Sequence, residues 1–240
     1  MSTIYESETR EAYQSAHRAE EYKHQTRRLT WARIVTSREL GLVRTMLDEC
    51  RHRDDDMVLD APCGTGIAGS LLRDSGVSVV ALDIALEMMA LARDDYREDR
   101  LHGFVRADMT ALPFSSRAFA GALVLGFFHR VPNPVQEMVL RDLVRVVDRY
   151  LILTFSVDNR IQRLKRGVLQ RLRGRGYTAP VPKTLDDIRA SLGAQGLVLR
   201  KCKWVLPVLS SSVVIWAERS ATGSTGAASP AGRASWGRVE

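Results

Sequence analysis

Apolar and polar positions change rhythm several times along this chain of 240 residues. From about Trp31 to Glu49, Ile34, Leu42, Val43, Met46 and Leu47 recur at helical spacing, and a more polar helical stretch over 8–27 precedes them. Asp54-Asp55-Asp56 breaks that pattern. Short apolar runs then alternate with helical ones. Strands are predicted at 57–60, 77–82, 101–106, 119–126 and 149–155. Helical segments lie between them, beginning at Ile67-Ala68, over 85–98 and over 134–148. The run 119–126 is almost wholly apolar, as a strand covered on both faces should be. For helix 134–148 the start signal is Asn133 as cap, Pro134 at the first helical position, and Gln136 completing a capping box. Strands separated by helices imply right-handed crossovers and a parallel sheet.

The last third differs. Thr184 with Asp187 opens a helix that Gly193 or Gly196 ends. Two apolar strands, 197–206 and 208–217, follow with only Pro207 between them, which permits an antiparallel hairpin and no helical crossover. The expected fold is therefore α/β and Rossmann-like: a seven-stranded, mostly parallel sheet with a C-terminal antiparallel hairpin and helices on both faces.

The candidate chemistry sits at the tips of the first strands. Met57-Val58-Leu59 reach Asp60, and the turn Ala61-Pro62-Cys63-Gly64-Thr65-Gly66 follows. Gly64 and Gly66 let the chain turn sharply and let a ligand touch its backbone. Gly64-Thr65-Gly66-Ile67-Ala68-Gly69 also satisfies the dinucleotide pattern G-x-G-x-x-G, with Asp83 where a ribose-binding acid belongs. A nicotinamide or flavin enzyme fits poorly for three reasons. Asp60 would repel a pyrophosphate, the third strand ends in a second acid-apolar pair (Asp108-Met109), and the closing hairpin is foreign to a dinucleotide half.

Over roughly residues 55–217 these features resemble the class I S-adenosylmethionine-dependent methyltransferases. Asp60-Ala61-Pro62-Cys63-Gly64-Thr65-Gly66 is similar to the family's first motif, with Pro62 replacing the first of three glycines. The resemblance implies S-adenosyl-L-methionine as cofactor, with Asp83 on its ribose hydroxyls and Asp108 on its adenine amine beside Met109. It implies further contacts from Asp60, Ala61, Gly64, Gly66, Ile84, Met88 and Leu125. Asp60 acts directly or through water, or else caps the turn; Met88 reads equally as core. Ala85 stands where a serine is common, and Leu112-Pro113-Phe114 has the family's look. Carboxylates suit the ribose and adenine roles because they form charge-assisted hydrogen bonds.

His129, just beyond the fourth strand, is the candidate catalytic base, against a purely structural role in its loop. Arg130 could hold an acidic acceptor. Tyr13 and Tyr22, with His17 and His24, are candidates for an N-terminal lid over the acceptor. Cys63 reads as a small turn residue.

Composition changes this picture little. The chain carries a formal net charge of +7, but seven basic and no acidic residues lie between Arg160 and Arg175. Much of the excess is local, on an amphipathic stretch over 159–175 that could touch an anionic membrane or an acidic partner, or dock on its own domain. No apolar run reaches the roughly 18 residues of a membrane span. The opening residues lack a signal-peptide profile, which predicts a cytoplasmic protein. The three widely spaced cysteines suggest neither a disulfide framework nor a zinc site.

The expected organisation is a helical lid or cap over 1–53, a cofactor-binding domain over 54–218 with a basic insertion at 157–182, and a disordered tail over 219–240. The expected activity is methyl transfer to oxygen or nitrogen of a small molecule with a possible lipid or saccharide part. The alternatives are a nucleic-acid methyltransferase, which lacks the usual motif here, and a non-catalytic scaffold that binds the cofactor.

Overall fold

The structure, a computed structural model, describes residues 30–96, 99–158, 183–207 and 209–220. The expectations for Tyr13, Tyr22, His17 and His24, for the basic stretch 159–175 and for the tail from 221 onward lie outside the described residues.

Seven strands form one sheet: β1 (Met57–Asp60), β2 (Ser78–Asp83), β3 (Leu101–Arg106), β4 (Phe119–Val124), β5 (Val147–Ser156), β6 (Leu197–Trp204) and β7 (Ser212–Arg219). Their spatial order is β3-β2-β1-β4-β5-β7-β6. The first five pair in parallel, while β7 runs antiparallel to both β5 and β6. The predicted hairpin is present, with two corrections. Its link is seven residues, Val205 to Ser211, within which the Ser210 N–H donates to Leu206 O. Its second strand also inserts between β5 and β6, so β6 is the edge.

Alternate residues along the strands face opposite ways and build two cores. One face buries Leu59, Ala122, Leu151, Leu153 and Ile215 beneath α4 (Asn133–Val146) and α5 (Leu185–Ala194). The other buries Val58, Leu123, Ile152 and Val214 beneath α1 (Thr30–Glu49) and α2 (Gly69–Ser75). Each fully buried Leu or Val contributes about 1.5–3 kcal/mol relative to exposure. From α1, Val43, Met46 and Leu47 belong to this second core, whereas Ile34 is exposed. That helix is therefore bound into the sheet rather than resting beside it, packing on α2, β5 and β7.

Two local expectations change. The helix predicted over 85–98 is α3 (Leu86–Ala92), followed by a short 3-10 turn. At the start of α4, Pro132 is the cap residue and no side chain caps the helix. Gln136 instead donates from its amide to the carbonyls of Phe128 and Val131, tying the loop after β4 to α4. A buried amide with two preceding carbonyls in reach has no reason to turn back to its own helix. The Thr184–Asp187 capping box forms as predicted. Gly121 of β4 reflects a neighbour invisible in the local pattern: a Cβ there would fall 2.1 Å from the ring of Tyr150 on β5.

Candidate functional site

Parallel strands end at one edge of the sheet, and there the chain leaves a cavity of about 460 Å³. Asp60 is the last residue of β1 and Asp83 the last of β2; Asp108 follows β3 by two residues. All three carboxylates line the cavity.

Asp83 is fixed by the backbone. One oxygen accepts from the Gly64 N–H at 2.8 Å and the other from the Ala85 N–H at 3.0 Å. The Gly64 amide, which a phosphate-binding turn would offer to its anion, is directed here to a protein carboxylate. Burial raises the Asp83 pKa, opposed by those amides. Asp60 is 2 % exposed and accepts from the Tyr96 hydroxyl at 2.5 Å. Burial pushes its carboxyl up to about 7, reinforced by the charge of Asp83 and resisted by the Tyr96 hydrogen bond. Asp108 accepts from both Thr110 N–H and Thr110 hydroxyl on one oxygen, at 2.8 Å each. Its other oxygen has no protein donor among the described residues. Apolar groups complete this half: Ile84, Met88, Met109 and Leu125.

The turn that carries the glycines is built for closeness. Gly64 and Gly66 both have positive φ, 53° and 80°, and a Cβ on Gly66 would lie 3.0 Å from the backbone of Ala92. Gly66 thus lets the turn press against the end of α3. Of the predicted cofactor contacts, Ala61 and Gly66 do not reach the cavity wall. Ala61 is fully buried, its N–H donating to Leu123 O.

The other half of the cavity comes from different elements. The loop after β4 supplies Gly126, Phe127, His129, Arg130 and Val131, and α1 supplies Trp31, Val35, Glu39 and Leu40. His129 is where the sequence placed it. Burial and the neighbouring Arg130 charge depress its pKa to about 4. The Arg130 Nε lies 3.5 Å from His129 Nε2, a long contact. Glu39 has its carboxyl pushed up to about 7 by burial, with a hydrogen bond from the Thr154 side chain and the Arg130 charge acting the other way. Cys63 is buried, with its thiol raised well above the ordinary value by burial and the nearby Asp60 and Asp83, so it stays a neutral thiol.

Residues 58–149 match the family model described as a methyltransferase domain. Together with the acid-tipped strands and the sheet order β3-β2-β1-β4-β5-β7-β6, that match makes this stretch similar to the methyltransferase domain of class I, Rossmann-like enzymes. Among curated relatives, the chain is 42 % identical over 62 residues to malonyl-[acyl-carrier protein] O-methyltransferase of Enterobacter lignolyticus, covering 26 % of this chain and 24 % of that one. It is 35 % identical over 116 residues to demethylmenaquinone methyltransferase of Beutenbergia cavernae, covering 47 % and 46 %. The chain thus spans about a quarter to a half of the length of these relatives. Its fold resembles that of magnesium protoporphyrin IX methyltransferase from Synechocystis PCC 6803, solved with bound SAH: TM-score 0.74, 19 % identity, 88 % of this chain and 98 % of that one.

In this methyltransferase-like domain, the structure brings together Asp60, Gly64, Asp83, Ile84, Met88, Asp108, Met109, Leu125, His129 and Arg130 around one cavity. The sequence reading missed Glu39. Its signal was present: Glu39 is the one acid on the stripe Val35, Glu39, Leu42, Val43, Met46 that α1 turns toward the sheet. An acid on an apolar stripe is out of pattern, and its reason becomes visible only once the cavity is built. Trp31 and Phe127 were missed because nothing in their local pattern separates a cavity wall from an ordinary surface.

Proposed function

We propose that the chain transfers the methyl group of S-adenosylmethionine to a small-molecule acceptor at oxygen or nitrogen, in the cytoplasm. The observation that carries this reading is the set of three carboxylates, Asp60, Asp83 and Asp108, around one cavity whose Gly64 amide is already engaged by Asp83. Such a wall repels a pyrophosphate and suits a nucleoside that carries ammonium and sulfonium charges. The elevated Asp60 carboxyl fits the same ligand, because a cation nearby would favour its ionised form.

Asp83, held at two points, would receive the ribose hydroxyls, and the open oxygen of Asp108 the adenine amine between Ile84 and Met109. Asp60 and the turn at Gly64 would face the amino-acid end. When bound, S-adenosylmethionine supplies an already activated methyl group. The protein's first contribution is then alignment and exclusion of water. The half formed by α1 and the loop after β4 would hold the acceptor. Its apolar members Trp31, Val35, Leu40 and Phe127 favour an acceptor with a substantial hydrophobic part, in keeping with relatives named for quinone and acyl-carrier substrates.

Two measurements test this. Calorimetric titration with S-adenosylmethionine should show one site, and incubation with the methyl-labelled cofactor plus a small-molecule extract should label an extractable product. Failure to bind the cofactor, or preferential binding of a dinucleotide, would overturn the reading.

A further inference from the structure

Resting on the S-adenosylmethionine reading above, we infer that Glu39 is the catalytic base of the acceptor half, taking the proton from an acidic hydroxyl on an apolar ring-bearing acceptor as that oxygen is methylated. The geometry singles it out. Glu39 comes from α1 and lines the cavity with Trp31, Val35 and Leu40 on its own helix and Phe127 on the loop after β4. Behind it, Thr154 of β5 is 2 % exposed, and its hydroxyl oxygen accepts from the Gly126 N–H at 2.7 Å. Thr154 and the Arg130 charge both favour the ionised form of Glu39 against its burial. An acid on the cavity wall among apolar side chains, with groups nearby that favour its charge, is the setting of a general base.

The surroundings also select the acceptor's class. Among the described residues, the charged and titratable groups that share the cavity with Glu39 are Arg130 and His129 beyond β4, the thiol of Cys63, and the acids Asp60, Asp83 and Asp108 at the strand tips. A carboxylate acceptor would add one more negative charge to a cavity that already holds four acids. Among the described residues Arg130 is the cation on this wall to meet it, and the Arg130 charge is already opposed by Glu39. A carboxylate also has no proton to give up, so Glu39 would have no task. An ammonium acceptor would lie against Arg130 and the cofactor's sulfonium. A neutral phenol, enol or hydroquinol avoids both conflicts, and its ring suits the apolar wall. Burial keeps Glu39 near a pKa of about 7, which matches a base that works at neutral pH. His129, depressed to about 4, is a weaker base by comparison. In the reaction, the acceptor oxygen forms a bond to the methyl carbon while the carbon–sulfur bond of the sulfonium breaks. The electron pair stays on sulfur, giving a neutral thioether, and the hydroxyl proton passes to the Glu39 carboxylate.

The test uses the full chain saturated with S-adenosylhomocysteine, titrated calorimetrically with three ligands on one ring: naphthol, naphthoate and naphthylmethylamine. The wild type is expected to bind naphthol at least about tenfold more tightly than either charged probe, a difference of about 1.4 kcal/mol. Its naphthol affinity should rise as pH increases through about 7, as Glu39 ionises. Glu39→Gln should erase that preference and that pH step, keep S-adenosylhomocysteine affinity within about threefold, and slow methylation of naphthol at least about a hundredfold. Naphthoate or the amine binding as well as naphthol, no binding of any probe, or a preference untouched in Glu39→Gln would each overturn the assignment. The wild-type pH step needs no variant, so a misfolded Glu39→Gln leaves the proposal testable. Loss of S-adenosylhomocysteine binding by the wild type would instead sink the proposed function itself.

Discussion

Asp83 hangs between two backbone amides at the tip of β2, whereas Glu39 projects from a helix onto the apolar side of the cavity. Both are acids on the wall of one cavity, and burial raises both pKa values. The difference lies in what holds them. Amides from the turns after β1 and β2 fix Asp83 in place and favour its charge, which suits its proposed role as an acceptor of cofactor hydroxyls. For Glu39, burial outweighs the influence of Thr154 and the Arg130 charge, and its carboxyl stays close to the point where a proton can come or go. In the proposed reading, the strand tips bind the cofactor and the helix beside them supplies the reactive group.

The largest effect on cofactor affinity should come from Asp83→Ala. It removes a charged acceptor for two hydroxyls, a loss of about 1.5–3 kcal/mol or more than tenfold in S-adenosylmethionine affinity by calorimetry. Unchanged affinity would erase the distinction between the two halves. Trp31→Ala is its counterpart on the other side. With Trp31 half exposed, the expected loss is about 1 kcal/mol in naphthol affinity, with S-adenosylmethionine affinity unchanged. A parallel loss of both ligands would mean that the halves are one site.

Asp60→Asn addresses stability rather than affinity. An acid whose folded pKa lies above its unfolded value keeps its proton longer in the folded chain. Its favourable contribution is full at low pH and is lost as pH rises through the folded value. For Asp60 that window runs from about 3.8 to about 7. The ligand-free Asn variant should therefore melt higher than wild type at pH 8, by roughly 2–4 °C for each kcal/mol relieved, with the gap closing toward pH 4. Equal melting curves at pH 8 would show that Asp60 carries no burial cost. The smallest effect is expected for His129→Ala: cofactor affinity and turnover within about threefold, since an imidazole with a pKa near 4 is a weak base. A hundredfold loss of rate there would move the base from Glu39 to His129.

How far the sequence reaches differs element by element. The strands are legible as short apolar or alternating runs set between turn and helix signals, and β1 and β3 fall at the predicted residues. The Thr184 cap is legible because its partner is three residues away. Gln136 carries an equally good local signal and yet serves the loop before it, because Phe128 O and Val131 O lie within reach in the folded chain. Local pattern names what a side chain could do, and the nearest available partner in space decides what it does.

By itself the sequence determined that this chain builds a parallel sheet with acids at its leading strand tips and a Gly-rich turn between strand and helix. Those are short-range consequences of residue type and spacing. Tertiary structure alone decided that β7 slips between β5 and β6, that Gly121 makes room for Tyr150, and that α1 carries Glu39 over the cavity to Thr154, more than a hundred residues away. Each of these depends on contacts between distant segments, where burial and close packing, rather than the preferences of neighbouring residues, set the outcome.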